Sequence, residues 1–196
     1  MPSLPEKDLK INRIDAGERP AGNRRFGTVP MTHSSNETDI PSEGALPEDE
    51  GFMQAALDEA RRAYDEGEVP VGAVVVREGR IVSSGRNRPI TLVDPTAHAE
   101  VLAIRGAAER IGNYRLVGAT LYVTLEPCIL CAGAILAARL TRLVYGAADP
   151  KGGAVGSLFR LLEDPRLNHR VRVQGGVLAP ACGEILYRFF QEKRIT

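Results

Sequence analysis

From residue 51 onward, apolar side chains return at three- and four-residue intervals through Phe52, Ala55, Ala56, Ala60 and Ala63. That is one face of an amphipathic helix, and Gly67 and Pro70 end it. The period then changes. Residues 71–76 and 81–85 are short β-branched runs on either side of Glu78 and Gly79, the pattern of a hairpin. Further strands are predicted at 121–125, 143–145 and 171–174, alternating with helical segments near 97–111, 128–138, 156–163 and 180–191. Such alternation predicts an α/β fold, a sheet with helices on both faces. Residues 1–48 carry isolated apolar positions among Pro, Gly, Ser, Thr, Asn and charge, with no sustained period. A segment of that kind buries too little to offset its ordering entropy, and it is read as a disordered N-terminal extension ahead of a single domain at 49–196. Met31 leaves open a later start of the chain. No internal repeat is visible.

Composition narrows the class. A chain of 196 residues that is 43% hydrophobic is long enough for one sizeable core and short for two. Its longest apolar stretch, 129–138 with Gly133 inside it, falls short of the roughly 20 residues a membrane span needs. Glu6, Asp8, Asp15 and Glu18 do not suit an organelle transit peptide, and no apolar signal core opens the chain, so a cytoplasmic protein is expected. The formal net charge is +0, but from Arg139 onward ten Lys and Arg face five Asp and Glu, a tilt that suits a polyanion such as RNA and equally an ordinary solvated surface. Three cysteines are an odd number, and Cys128 and Cys131 form a C-x-x-C better suited to metal or redox chemistry than to a disulfide.

The chemistry concentrates in two segments: His98, Ala99 and Glu100, and Pro127, Cys128, Ile129, Leu130 and Cys131. One imidazole and two thiolates give zinc three ligands and leave its fourth position to water, as in a catalytic site. Cys182 and His169 are weak candidates for a fourth ligand. Asp94, Pro95 and Thr96 place His98 at a helix start, and Pro127 does the same for the two cysteines, so two helix N-termini are expected to converge on one ion. By itself the C-x-x-C could be a structural zinc knuckle or a redox pair. With the H-x-E upstream, Glu100 becomes a proton carrier for a zinc-activated water that attacks an amidine carbon, and the net reaction is hydrolytic loss of ammonia from a nucleobase.

These motifs, with Glu68 to Ala73, Gly85 to Pro89, Asp94 to Glu100, Asn113 to Leu116, Thr120 to Cys128 and Asn168 to Arg170, resemble the tRNA-specific adenosine deaminases over about residues 51–190. The resemblance implies a three-layer α/β/α cytidine-deaminase-like fold with a mixed sheet of about five strands, one Zn2+ per subunit, and a homodimer with active sites near its interface. It also implies conversion of the wobble adenosine to inosine in the anticodon stem-loop of an arginine tRNA with an ACG anticodon. On the same likeness Asn87 contacts the base, Val69, Pro70 and Val71 line its pocket, and Asp149, Lys151 and Asn168 hold flanking nucleotides. Ala148 and Pro150 around Asp149 depart from the family pattern, where a basic residue and a more flexible one are frequent, which puts the anticodon grip in question. Catalytic residues alone do not separate this substrate from a free base or nucleoside, and a non-catalytic zinc-stabilised RNA-binding module is the reading from another class.

Overall fold

The computed structural model describes residues 45–195. The expected extension at 1–48 therefore lies outside the described residues up to residue 44. The described elements run α1 (Asp49–Asp65), β1 (Gly72–Arg77), β2 (Arg80–Arg86), α2 (Pro89–Leu92), α3 (Ala99–Ile111), β3 (Thr120–Leu125), α4 (Ile129–Ala137), β4 (Arg142–Ala147), β5 (Arg172–Gln174) and α5 (Ala179–Ile195). A single 3-10 turn, Leu161–Glu163, precedes β5.

The five strands form one mixed sheet in the order β2-β1-β3-β4-β5. β1 runs antiparallel to β2 and β3, whereas β3, β4 and β5 are parallel. The hairpin turn takes positive φ at both Glu78 (53°) and Gly79 (69°), the backbone a two-residue turn needs to match strand twist. Alternation along the strands then assigns the faces. Ala73, Val75, Leu121, Val123 and Leu143 pack with Ala99, Ala103 and Ala107 of α3 and Ala132 and Ile135 of α4. Val74, Val76, Tyr122 and Val144 pack with Met53, Ala56 and Leu57 of α1 and Cys182 of α5. The result is the expected three-layer α/β/α arrangement, and because β1 is covered on both faces its run Val74, Val75, Val76 is apolar throughout.

Two features place the functional segments. Gly85 on β2 lets α3 lie flush on the sheet, since a Cβ there would collide with the Ala99 carbonyl and the Ala103 amide. β3 and β4 end side by side, Leu125 opposite Ala147, so residues 126–128 and 148–151 leave the sheet together at the carboxyl ends of its parallel strands. Crevices for ligands form there in open α/β sheets.

Three expectations need correction. The helix predicted near 156–163 is a run of turns with only Leu161–Glu163 helical. The segment predicted from 97 starts its helix at Ala99, and Asp94 caps a turn, accepting from the Thr96 N–H (2.8 Å) and hydroxyl (2.7 Å). Pro127 lies two residues before α4, so Cys128, and not a helical position, is where that chain enters the helix.

Candidate active site

His98 and Cys128 occupy equivalent places. Each is the N-cap residue of its helix with an extended backbone, φ −73° and ψ 151° for His98, φ −77° and ψ 178° for Cys128. Neither uses its side chain to cap the helix, so both side chains remain available to a ligand in front of two positive helix ends. Cys131 sits one turn into α4, on the side that carries Cys128.

The three donor atoms meet. His98 Nδ1 lies 3.7 Å from Cys128 Sγ and 3.4 Å from Cys131 Sγ, and the two sulfurs are 3.8 Å apart. Tetrahedral zinc, bonded at about 2.3 Å to sulfur and about 2.0 Å to nitrogen, sets two sulfurs about 3.8 Å apart and sulfur and nitrogen about 3.5 Å apart. The residues present fit that ion without rearrangement. Among the described residues the group has these three members and no fourth. His169 Nε2 is paired with the Leu140 carbonyl at 2.7 Å, and Cys182 is buried against α1 on the other face of the sheet, so neither belongs to the centre. The cluster's electrostatics favour a cation: hydrogen bonding from Cys131 and then His98 draws the Cys128 thiol down to about 3, while Cys128 and burial push the Cys131 thiol upward.

Glu100, two residues into α3, is 4% exposed. Burial pushes its carboxyl above the ordinary carboxylate range, against the pull of its own backbone N–H, the nearby His98 and the Cys131 thiol. A buried carboxyl beside three metal ligands, with an elevated affinity for protons, is equipped to take up and release them.

Asn87 is buried and joins two walls of the site. Its backbone N–H donates to the Val71 carbonyl (3.0 Å), and its Oδ1 accepts the Ala99 N–H (2.9 Å) at the first turn of α3. The amide orientation follows, because only the oxygen can face an N–H donor, and the NH2 end keeps its donors for another partner. Pro70 and Val71 are buried and Val69 half-buried, with the Val71 N–H donating to the Val69 carbonyl (2.8 Å) in a tight bend. Asp149 is half-buried and its Oδ1 accepts the Lys151 N–H (3.0 Å), while Lys151 itself is exposed. Asn168 stands apart from these. It is exposed, and its carbonyl and Oδ1 accept from Arg139 (3.2 and 3.0 Å), just past the end of α4 opposite to the cysteines.

Two of the buried carboxylates without a role in the sequence reading, Glu68 and Glu126, brace the segments around the site. Glu68 accepts the backbone N–H groups of Ile90 (3.3 Å) and Thr91 (2.7 Å), fixing α2 behind Asn87. Glu126, 2% exposed, accepts the N–H groups of Asp149, Val155, Gly156 and Ser157 and the Ser157 hydroxyl. Their shared sequence signal is a glutamate one or two residues before a proline, at the edge of an apolar run: Glu68 before Val69 and Pro70, Glu126 before Pro127.

Known proteins resemble the chain in sequence and fold. A family model described as the cytidine and deoxycytidylate deaminase zinc-binding region matches residues 46–147. The tRNA-specific adenosine deaminase of Haemophilus influenzae is 52% identical over 147 residues, covering 74% of this chain and 85% of that protein. A solved structure from studies of A-to-I editing by tRNA:A34 deaminases at the wobble position of transfer RNA is 51% identical, with a TM-score of 0.67 over 69% of this chain and 99% of the other. The guanine deaminase from Nitrosomonas europaea, at 24% identity and a TM-score of 0.60 over 74% of this chain and 85% of its own, shares the fold.

Proposed function

Because the chain belongs to the tRNA-specific adenosine deaminases of the cytidine and deoxycytidylate deaminase family, we propose that it hydrolyses the wobble adenosine of an arginine tRNA with an ACG anticodon to inosine. The deamination rests on the buried Glu100 beside a three-member donor set spaced for zinc, and the tRNA substrate on the 52% identity to a tRNA-specific adenosine deaminase.

His98 Nδ1, Cys128 Sγ and Cys131 Sγ would hold a zinc ion, which would supply the Lewis acidity that makes a water nucleophilic near neutral pH. Glu100 takes a proton from the attacking water as the water oxygen bonds to C6 of the adenine and passes it to ring N1, then takes the remaining proton of the new C6 hydroxyl and passes it to the departing amine. The C6–N bond breaks, ammonia leaves and the base is left as hypoxanthine. Asn87 donates from its NH2 group to the base edge, while its oxygen stays on the Ala99 N–H. The bend at Val69, Pro70 and Val71, tied to Asn87 through the Val71 carbonyl, forms the pocket wall. Asp149 and Lys151, leaving the sheet beside Cys128, hold the nucleotides flanking the extruded base, and Asn168 with Arg139 meets the RNA farther from the metal.

A homodimer and a cytoplasmic location complete the reading. Ile129 and Leu130 beside Cys128, Ile90 and Val93 on and after α2, and Leu158 and Phe159 are exposed apolar residues near the site, as an interface would require. No described helix is long and apolar enough to cross a membrane.

The substrate is tested by offering zinc-loaded protein an anticodon stem-loop with the ACG anticodon beside free guanine, cytosine and cytidine. Inosine in the stem-loop with no release of ammonia from the free compounds is expected. Turnover of a free compound and not the stem-loop would move the substrate to a base or nucleoside.

A further inference from the structure

Residues 148–157, between β4 and the turns that precede β5, have no regular secondary structure. Loop backbone normally pairs with water, yet both ends of this one turn inward to a single side chain. Glu126 Oε2 accepts the Asp149 N–H at 2.9 Å together with the Ser157 hydroxyl. Its Oε1 accepts the N–H groups of Val155 (3.3 Å), Gly156 (2.9 Å) and Ser157 (2.8 Å). Oε1 thus holds the exit of the loop, and Oε2 ties its entrance to that exit. Gly153 makes room for the group, since a Cβ there would collide with the carboxylate.

The residue doing this is also registered to the metal centre. The Glu126 N–H donates to the Ala147 carbonyl (2.9 Å), and the next residue, Pro127, accepts the Ala154 N–H (2.8 Å) immediately before Cys128. The loop's position is therefore fixed against Glu126 and Pro127, the two residues that lead into the first cysteine. A rigid surface loop does not require a buried carboxylate, whose desolvation is costly unless every acceptor site is used. What the arrangement provides is a constant separation between the metal centre and the backbone that carries Asp149 and Lys151.

We propose that Glu126 is a positioning residue for the nucleic-acid strand, setting Asp149 and Lys151 at the distance from the reacting base where the flanking nucleotides lie. This rests on the substrate reading above. Glu126 touches neither the base nor the metal ligands' donor atoms in this role, so its effect falls on substrate binding and not on the chemical step.

The test measures kcat and KM on the ACG stem-loop, with zinc content, for the parent, Glu126→Gln, Gly153→Ala, Lys151→Ala and the Glu126→Gln/Lys151→Ala pair. Gln keeps the shape but presents an NH2 group to N–H donors, and Gly153→Ala drives a methyl group against the Glu126 carboxylate, parting it from the loop while residue 126 remains a glutamate. Both are expected to raise KM on the order of tenfold, with kcat and zinc content within about twofold of the parent. In the Lys151→Ala background the Glu126→Gln effect on KM should shrink, because the two act through one contact. Parental KM in the single variants, a full multiplicative effect in the pair, or a joint fall of kcat and zinc would each overturn the proposal. A parent inactive on the stem-loop would overturn the substrate reading, and this proposal with it. A parent active there, with variants of parental KM, would overturn the role of Glu126 alone.

Discussion

Glu100 and Glu126 are both buried glutamates within two residues of a metal-ligand candidate, and their surroundings give them opposite properties. Glu126 accepts from five donors, four of them backbone N–H groups, and these outweigh burial and hold its carboxyl below the ordinary carboxylate range. Glu100 has fewer stabilising partners than burial demands, and its carboxyl is pushed up. Both are shut off from solvent, but Glu100 lies in the denser protein surroundings, so depth and donor count together decide the outcome: Glu126 is saturated by donors and Glu100 is not. Asp49 repeats the first case far from the site. Burial works to raise its carboxyl, but Arg142 Nη1 and Nη2 (2.7 and 2.8 Å), the Leu46 N–H and the Tyr122 hydroxyl hold it below its ordinary value of 3.8.

The largest effect expected removes what the Glu100 side of the comparison serves. Cys128→Ala, or prolonged chelation of the parent, should abolish turnover together with the metal, read as zinc by atomic absorption and inosine by nuclease digestion and chromatography. Next, Asp49→Ala should leave the Arg142 guanidinium buried without its partner and lower unfolding stability by about 3–5 kcal/mol in urea. Zinc content and the turnover rate of the folded fraction should stay at parental levels. Because the folded Asp49 pKa is depressed, its contribution is fully present above pH 3.8 and is lost as pH falls below that value through the folded one. The stability gap between parent and Asp49→Asn should accordingly be constant near neutrality and close under acid; a gap that widened on acidification would mean that the carboxyl is not held as an anion. The smallest effect concerns Asn87→Ala, which removes the partner of a buried Ala99 N–H and should cost about 1–3 kcal/mol of stability. If Asn87 also reads the base, KM for the stem-loop rises in the same variant; stability loss at parental KM would make it a helix-capping residue only.

The parts of this molecule that follow local rules were legible in its sequence. The apolar period of α1, the Glu78 and Gly79 turn, and the H-x-E and C-x-x-C spacings depend on residues within one turn of each other, and the structure keeps them. What the sequence concealed depends on partners far along the chain. The segment at 156–163 has helical spacing, but the N–H groups of Val155, Gly156 and Ser157 converge on a carboxylate about thirty residues upstream and only Leu161–Glu163 turns helical, a long-range arrangement that local spacing does not encode. The short α2 has Pro89 in its first turn and owes its first N–H bonds to Glu68, twenty-two residues away. Likewise Asp94 and Pro127 look like helix starters, yet His98 and Cys128 take the N-cap places, which frees their side chains for the metal. The clustering of the donor atoms was thus readable, while the group that orders the neighbouring loop was not.

The central claim is that Glu100 moves protons in a zinc-dependent deamination of RNA. It is tested most directly by comparing inosine formation in the ACG stem-loop by zinc-loaded parent and Glu100→Gln, with zinc content measured on the same samples. A fall in kcat of about 10²–10⁴ with one zinc per chain retained in both is the predicted result. Parental kcat in Glu100→Gln, or loss of its zinc along with its activity, would contradict the assignment.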